Sequence, residues 1–415
     1  MSPKLLSLAT WAGITALHCG LAGVAAAQGW TIGKPIVTYW AGPEMTDEVA
    51  TQMAEGGWNL VWCREQDLDV AQRHGLHAQL FDGLLSPATL DDPAKRAELD
   101  ALVDRVKGHP ALYCYFITDE PNAAAFPALG RLVAYLRERD PAHLAYINLF
   151  PTYASNEQLG TQGDTETAYR EHIRQFLEVV KPDLISYDHY HFCANGRDSD
   201  QYFLNLGIVR QFALDSGLPF LNIVQVCTWT PAMRVPTGPE VRWLVYTSLA
   251  YGAQGISYYV YCHPGHEGAI ARADGTTTEL YPVLSVANRD FAAIAAELQP
   301  LRSLGAYHGG MVPPGAEGLP EGFRFQLDPM VPAMEYQSTQ PVKGWLLGAF
   351  GPADGQPTHV VVVNLDYTSA AETTLVGPSP MQAFDSRTGT WEPAGGNRAS
   401  VQLPAGGGLL VRVAR

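Results

Sequence analysis

Between Lys34 and about Arg302 the chain alternates eight times between a short apolar run and a helix-patterned segment. This alternation limits the fold more than any other feature. The runs span 35–41, 58–64, 76–81, 112–118, 144–150, 184–190, 220–226 and 255–261. Each ends in polar or aromatic residues. Between them, 46–55 opens on a Thr cap, and 99–106 has apolar positions at helical spacing. Segment 126–139 is amphipathic and stops at Asp140-Pro141, 169–180 stops at Lys181-Pro182, and 240–251 and 284–298 follow later. Strands separated by helices form a parallel sheet, and eight such units close into a barrel. The expected class is α/β, a (β/α)₈ TIM barrel over 28–305. A C-terminal all-β sandwich is expected over 306–415, with strands near 345–350, 358–365, 373–376, 381–385 and 409–413. The Gly- and Pro-rich stretch 305–322 reads as a linker or loop, and Asp385-Ser-Arg-Thr-Gly389 as a hairpin turn.

The first 27 residues have the composition of an export leader: Lys4, an apolar stretch, then Ala25-Ala26-Ala27 before Gln28. The expected location is therefore secreted or periplasmic. No later run is apolar enough to anchor the chain in a membrane. The formal charge of −15 disfavours phosphate backbones and anionic lipid, so nucleic acid is not an expected partner. Neutral carbohydrate suits an acidic chain with 9 Trp and 19 Tyr, side chains that build cores and also stack on sugar rings. Five cysteines follow the leader (Cys63, Cys114, Cys193, Cys227 and Cys262), and their wide spacing reads as buried free thiols.

In a barrel of this kind the site is built on the C-terminal strand ends. Those ends carry Trp40, then Trp62 and Glu65, then Asp82, then Asp119-Glu120-Pro121, then Asn148. They continue with Asp188 and Tyr190, Gln225 and Trp229, and Tyr259 and Tyr261. Carboxylates hydrogen-bond hydroxyls and move protons, and aromatic faces hold a sugar ring; glycosidic hydrolysis uses both. Because strand residues alternate sides, Asp188 and Tyr190 share one face and His189 takes the other. Taken singly, Glu65 and Asp82 also suit a structural capping role.

Asp119-Glu120-Pro121 follows the aromatic strand segment Tyr113-Cys-Tyr-Phe-Ile117 and precedes a helix. It resembles the acid/base segment of the large retaining clan of barrel glycosidases, where the fourth strand ends in Asn-Glu-Pro or Asp-Glu-Pro. The resemblance implies that Glu120 is the proton donor and that Asp119 orients the sugar. The pattern Asn364-Leu-Asp366, Asp385 to Trp391, Leu403 to Leu409 is similar to the β-domain that closes many such enzymes. In that clan a Glu ends strand seven as nucleophile; here the matching position is Gln225, and an amide cannot serve. Either the strand register differs, or Asp188 supplies the second carboxylate, or a 2-acetamido group of the substrate attacks while Asp119 positions it. Adjacent Asp-Glu at this strand end is also similar to N-acetylhexosaminidases such as glycoside hydrolase family 123.

The leading expectation is a glycosidase with Glu120 as acid and Asp188 as its partner, acting without a cofactor. A non-catalytic carbohydrate-binding barrel and a metal-dependent deacetylase are the other readings. His189 and His191, two apart on a strand, and His263 and His266, three apart in a loop, could together suggest a metal site. No His-Glu-x-x-His helix accompanies them, and no metal is expected.

Overall fold

The computed structural model describes residues 35–337, 341–353 and 355–414. The expected leader over 1–27 and its expected cleavage site lie outside them. Eight parallel strands form the barrel: β1 (Ile36–Tyr39), β2 (Leu60–Cys63), β3 (His77–Leu80), β4 (Leu112–Asp119), β5 (Leu144–Leu149), β6 (Ile185–His189), β7 (Phe220–Gln225) and β8 (Gly255–Tyr259). They pair in the order β1-β8-β7-β6-β5-β4-β3-β2. Across the β1/β2 seam, side chains do much of the joining. Asn59 accepts from Val37 N at 2.9 Å and donates to Pro35 O at 2.9 Å, and Thr38 Oγ1 donates to Leu60 O at 2.8 Å. The barrel axis is filled by Ile36, Leu60, Cys114, Leu144, Tyr146, Leu184, Leu221 and Ile223, a packed core rather than a pore.

A helix follows every strand, and the eight expected strands fall where the apolar runs stand. Helix Asp47–Glu55 starts on the expected cap, with Thr46 accepting from Val49 N. Phe126–Arg139 matches its amphipathic pattern. The expected helix 169–180 is Thr165–Gln175 continued by a π-turn, Phe176–Val180. Leu68–Arg73 and Tyr202–Ser216 are helices that the pattern did not single out.

The C-terminal region forms two further sheets. The strands are β9 (Arg302–Gly310), β10 (Glu317–Gly318), β11 (Gln326–Asp328), β12 (Gly344–Gly351), β13 (His359–Asn364), β14 (Ala371–Val376), β15 (Met381–Asp385), β16 (Thr390–Pro393), β17 (Arg398–Leu403) and β18 (Gly408–Val413). One sheet runs β10-β9-β12-β13-β18-β15-β16 and the other β11-β14-β17. Phe325, Leu327, Trp345, Leu347, Val360, Leu375 and Val401 fill the space between them, as in a sandwich. The stretch 305–322 is not simply a linker. Its first part belongs to β9, which pairs antiparallel along the whole of β12. Glycine lowers strand propensity but does not forbid pairing, and here the ladder prevails. The Asp385–Gly389 turn is as expected, closing the β15/β16 hairpin with Gly389 at φ 69°.

Helix Gly238–Tyr251 lies between barrel and sandwich. It is buried from Val241 to Tyr251 save Arg242, so it lacks a polar face. Sheet and helix approach so closely that a Cβ on Gly348 would lie 2.2 Å from Ala250 O. The five cysteines Cys63, Cys114, Cys193, Cys227 and Cys262 are free thiols, three of them buried.

Candidate active site

A cavity of about 290 Å³ opens at the C-terminal strand ends. Asp119, Glu120, Asn148 and Asp188 supply its polar lining, and Trp40, Phe150, Tyr153, Tyr190, Trp229 and Tyr259 supply aromatic walls. A larger apolar hollow of about 400 Å³ sits at the opposite barrel end, among Leu214, Phe220, Tyr251, Leu298 and Phe350. None of the rim carboxylates line it; Asp119, Glu120 and Asp188 line the smaller cavity.

Two adjacent strand residues normally point to opposite faces, yet Asp119 and Glu120 both line the cavity. The local backbone explains this. β4 carries a bulge at Ile117: Phe116 pairs with Tyr146 and Thr118 with Ile147, two steps on β4 against one on β5. Glu120 then adopts φ 42°, in the left-handed region that non-glycine residues rarely occupy. Its amide is anchored by donation to Asn148 O at 2.9 Å. Such strain costs of order 1–3 kcal/mol and collects at functional positions.

The amide of Asn148 joins the carboxylates. Its Nδ2 donates to Asp119 Oδ1 at 3.0 Å and to Asp188 Oδ1 at 2.9 Å. Ser186 Oγ donates to Asn148 Oδ1 at 2.9 Å, which orients the amide, and Tyr146 Oη meets Ser186 Oγ at 2.8 Å. The carboxyls of Glu120 and Asp188 interact, and Asp188 is the proton holder: the contact lowers Glu120 and raises Asp188. Burial, and then the charge of Asp119, push Glu120 up to about 7. Burial, and then the charges of Glu120 and Asp119, push Asp188 well above the usual carboxylate range. Asp119 is open to the cavity, yet the protein around it still raises its pKa by desolvation.

Trp40, Asn148, Tyr190, Trp229 and Tyr259 line the cavity with Asp119, Glu120 and Asp188. His189 turns to the other face of β6 and meets Ser199 and Asn205 at 3.0 Å each, as strand alternation requires. Five expected contacts lie elsewhere. Trp62 sits behind Trp40, 5.3 Å between ring centroids, and donates to Tyr39 O at 2.7 Å. Glu65 pairs with Arg105 at 2.5 Å on the outer surface. Asp82 accepts from Leu84 N at 2.8 Å, a turn cap. Tyr261 donates to Gln52 Oε1 at 2.8 Å.

Gln225 is the fifth. Its Oε1 accepts from His191 N at 3.0 Å and Phe192 N at 2.9 Å, while Nε2 donates to Phe192 O at 3.1 Å and Arg234 O at 2.6 Å. The position that resemblance assigns to a nucleophile is therefore a clamp on the β6 and β7 exit loops, and β7 presents Ile223 to the cavity. Pro151, just past the end of the fifth strand, lines the cavity too, and Phe150, Tyr153, Ala154, Gln158 and Ile223 are lining residues that the strand ends did not announce. Tyr153 accepts from Tyr190 N at 3.3 Å, which fixes one wall against another.

The histidines serve separate sites. His191 stacks on Trp243 at 4.7 Å and approaches Asp198 at 3.5 Å, while His263 and His266 stack on each other at 4.1 Å in the β8 exit loop. Among the described residues, no group of three or more His, Cys, Asp or Glu has the spacing of a metal site.

Solved structures share this architecture. A catalytic mutant of a GH42 β-galactosidase from G. stearothermophilus is 10% identical over 92% of this chain and 98% of that chain, with TM-score 0.56. A β-galactosidase from Bacillus circulans sp. alkalophilus is 10% identical over 92% and 100%, with TM-score 0.52. This chain spans 62% of the length of a β-galactosidase from the psychrophilic Marinomonas ef1, at 12% identity, over 67% of this chain and with TM-score 0.45. No family model and no curated protein sequence matches the chain. At these identities the likeness is one of fold: a (β/α)₈ barrel with a C-terminal β-domain.

Proposed function

We propose that this chain is a glycoside hydrolase that cleaves O-glycosidic bonds in a carbohydrate, with Glu120 as general acid. One observation carries the reading. Glu120 is a carboxyl raised to about 7, held in strained backbone at the base of an aromatic-walled cavity. An acid of that strength keeps its proton near neutrality and can pass it to a departing glycosidic oxygen. A purely structural carboxyl would gain nothing from a shape that a sugar ring fills. The same proposal takes 1–27 as an export leader cleaved before Gln28.

The contact between Glu120 and Asp188 favours a substrate-assisted route over attack by Asp188. Asp188, raised well above the usual carboxylate range, keeps its proton near neutrality, and a protonated acid serves as neither nucleophile nor base. Asp188 instead donates its own proton to Glu120, a contact that fixes the position of that carboxyl and lowers its pKa. Asp119 is the remaining carboxylate open to the cavity, placed to orient a 2-acetamido group. The carbonyl oxygen of that group bonds to the anomeric carbon as the leaving oxygen takes the proton of Glu120. Water then opens the cyclic intermediate, giving its proton to the Glu120 carboxylate. The anomer is retained.

The test is a panel of aryl glycosides, with and without a 2-acetamido group, on wild type, Glu120→Gln and Asp119→Asn. The expected result is cleavage of 2-acetamido sugars alone, retention by proton NMR, and large losses in both variants. Hydrolysis of 2-hydroxy sugars with inversion overturns the acetamido route. Full activity of Glu120→Gln on unactivated glycosides overturns the acid assignment. Sugar binding without hydrolysis of any glycoside returns the chain to a carbohydrate-binding barrel.

A further inference from the structure

A line of rings leads out of the cavity. Trp229, 43% exposed at the mouth, lies 5.6 Å from Tyr190, and Tyr190 lies 5.3 Å from Tyr259. Tyr259 lies 5.9 Å from His266, which stacks on His263 at 4.1 Å. The hydroxyl of Tyr259 also meets His266 Nε2 at 3.4 Å. Tyr259, which lines the cavity, thus touches His266, which lines a second depression of about 370 Å³ in the β8 exit loop.

That depression is bounded by His263, His266, Glu267, Arg272, Thr278 and Glu279. Thr228 N donates to Glu267 O at 3.0 Å, and Glu267 N donates to Thr228 Oγ1 at 2.8 Å. These two bonds set the depression beside the loop that carries Trp229. Glu279 is engaged by Arg272 at 2.6 Å, whereas the exposed carboxylate of Glu267 has no ion-pair partner among the described residues. A free carboxylate accepts from sugar hydroxyls and repels anionic groups. Flat imidazole and indole faces complement the apolar face of a pyranose.

Resting on the glycosidase reading, we propose that this depression binds a second, neutral sugar unit, so that the natural substrate is an oligosaccharide rather than a simple glycoside. The cavity holds one ring, since pockets for larger, drug-sized ligands run to about 300–1,000 Å³. The neighbouring unit passes over Trp229 and Tyr259 to the histidine pair. Binding energy gained there would be spent on orienting the bond at Glu120.

The test compares the best 4-nitrophenyl glycoside with neutral oligosaccharides of two to five units ending in the same sugar, on the full chain. Wild type should gain about tenfold or more in kcat/KM on going from the aryl glycoside's single sugar to an oligosaccharide. Glu267→Gln and His263→Ala, both at exposed side chains, should abolish most of that gain and leave the aryl glycoside unchanged within twofold. Aryl glycoside hydrolysis with no chain-length effect overturns the second site while sparing the glycosidase reading. So does an equal loss on both substrate types in the variants. Absence of hydrolysis of every glycoside overturns both.

Discussion

The carboxyls of Glu120 and Asp188 share a hydrogen bond, and this contact joins the end of β4 to the end of β6. Glu120 must be protonated to act as an acid, and it titrates near 7. The kcat/KM on unactivated glycosides should therefore fall as pH rises through about 7. With nitrophenyl leaving groups, which depart without a proton, the fall should be shallower. Paired pH–rate profiles check this, and identical alkaline limbs on both substrates would count against Glu120.

Glu120→Gln should cut turnover on unactivated glycosides about 10²–10⁴-fold, with a smaller loss on activated ones. It should also change stability with a definite sign. The folded state holds this proton more tightly than the unfolded chain, whose value is near 4.5. The stability it contributes is complete below that value and is lost as pH rises through about 7. The Gln side chain does not titrate, so the variant should gain relative thermal stability between pH 5 and 8. Melting curves at several pH values measure the slope.

Asp188→Asn separates the two catalytic routes. An Asn amide donates to Glu120 and favours its ionised form, as the Asp188 acid already does. As a positioning donor, Asp188 should on replacement leave the alkaline limb near its wild-type position and measurable activity at pH 5. As a nucleophile, its loss would abolish turnover at every pH.

Gln225→Glu should not create a nucleophile. The Nε2 of Gln225 faces the carbonyls of Phe192 and Arg234, and a carboxylate oxygen placed there meets two acceptors without a proton to share. The expected cost is about 1–3 kcal/mol for each unsatisfied buried group, seen as a lower Tm and weaker kcat/KM. A stable variant with raised activity would show that the strand-seven seat is catalytically live.

Tyr367→Phe probes support from the sandwich. Tyr367 Oη donates at 2.6 Å to Asp198 in the β6 exit loop. Removing that donor should cost about 1–3 kcal/mol and raise KM more than it lowers kcat, because the same loop begins at Tyr190. Calorimetry with steady-state kinetics on one substrate distinguishes this from a purely structural loss, which would leave KM alone.

The barrel was legible because each strand is a buried apolar run with polar residues at its exit, and each such run survives packing unchanged. Asp119-Glu120 stood out for a related reason: the two are neighbours in sequence and also in the cavity. Glu65 and Asp82 looked equivalent to those two. What separates them is Arg105, 40 residues from Glu65, and the amide of Leu84 bending back to Asp82. Tyr153 carries no local signature, since its place on the wall depends on how the β5 exit loop folds over Tyr190. Gln225 was located correctly on its strand, but its side chain follows carbonyls on another loop. β9 was hidden by its glycines, which pair only because β12 lies beside them.

Helix Gly238–Tyr251, enclosed on both sides, gives the molecule a single beam. Glu240 in its first turn binds Arg234 at 2.6 Å, and the carbonyl of Arg234 is one of those that Gln225 grips. The far end of the same helix lies under Gly348 of the sandwich. A β-sandwich seated this way is not a cassette that recombination can exchange freely. Any replacement must bring its own glycine to the helix and its own hydroxyl to Asp198. The catalytic rim and the C-terminal sheets are therefore expected to have diverged together.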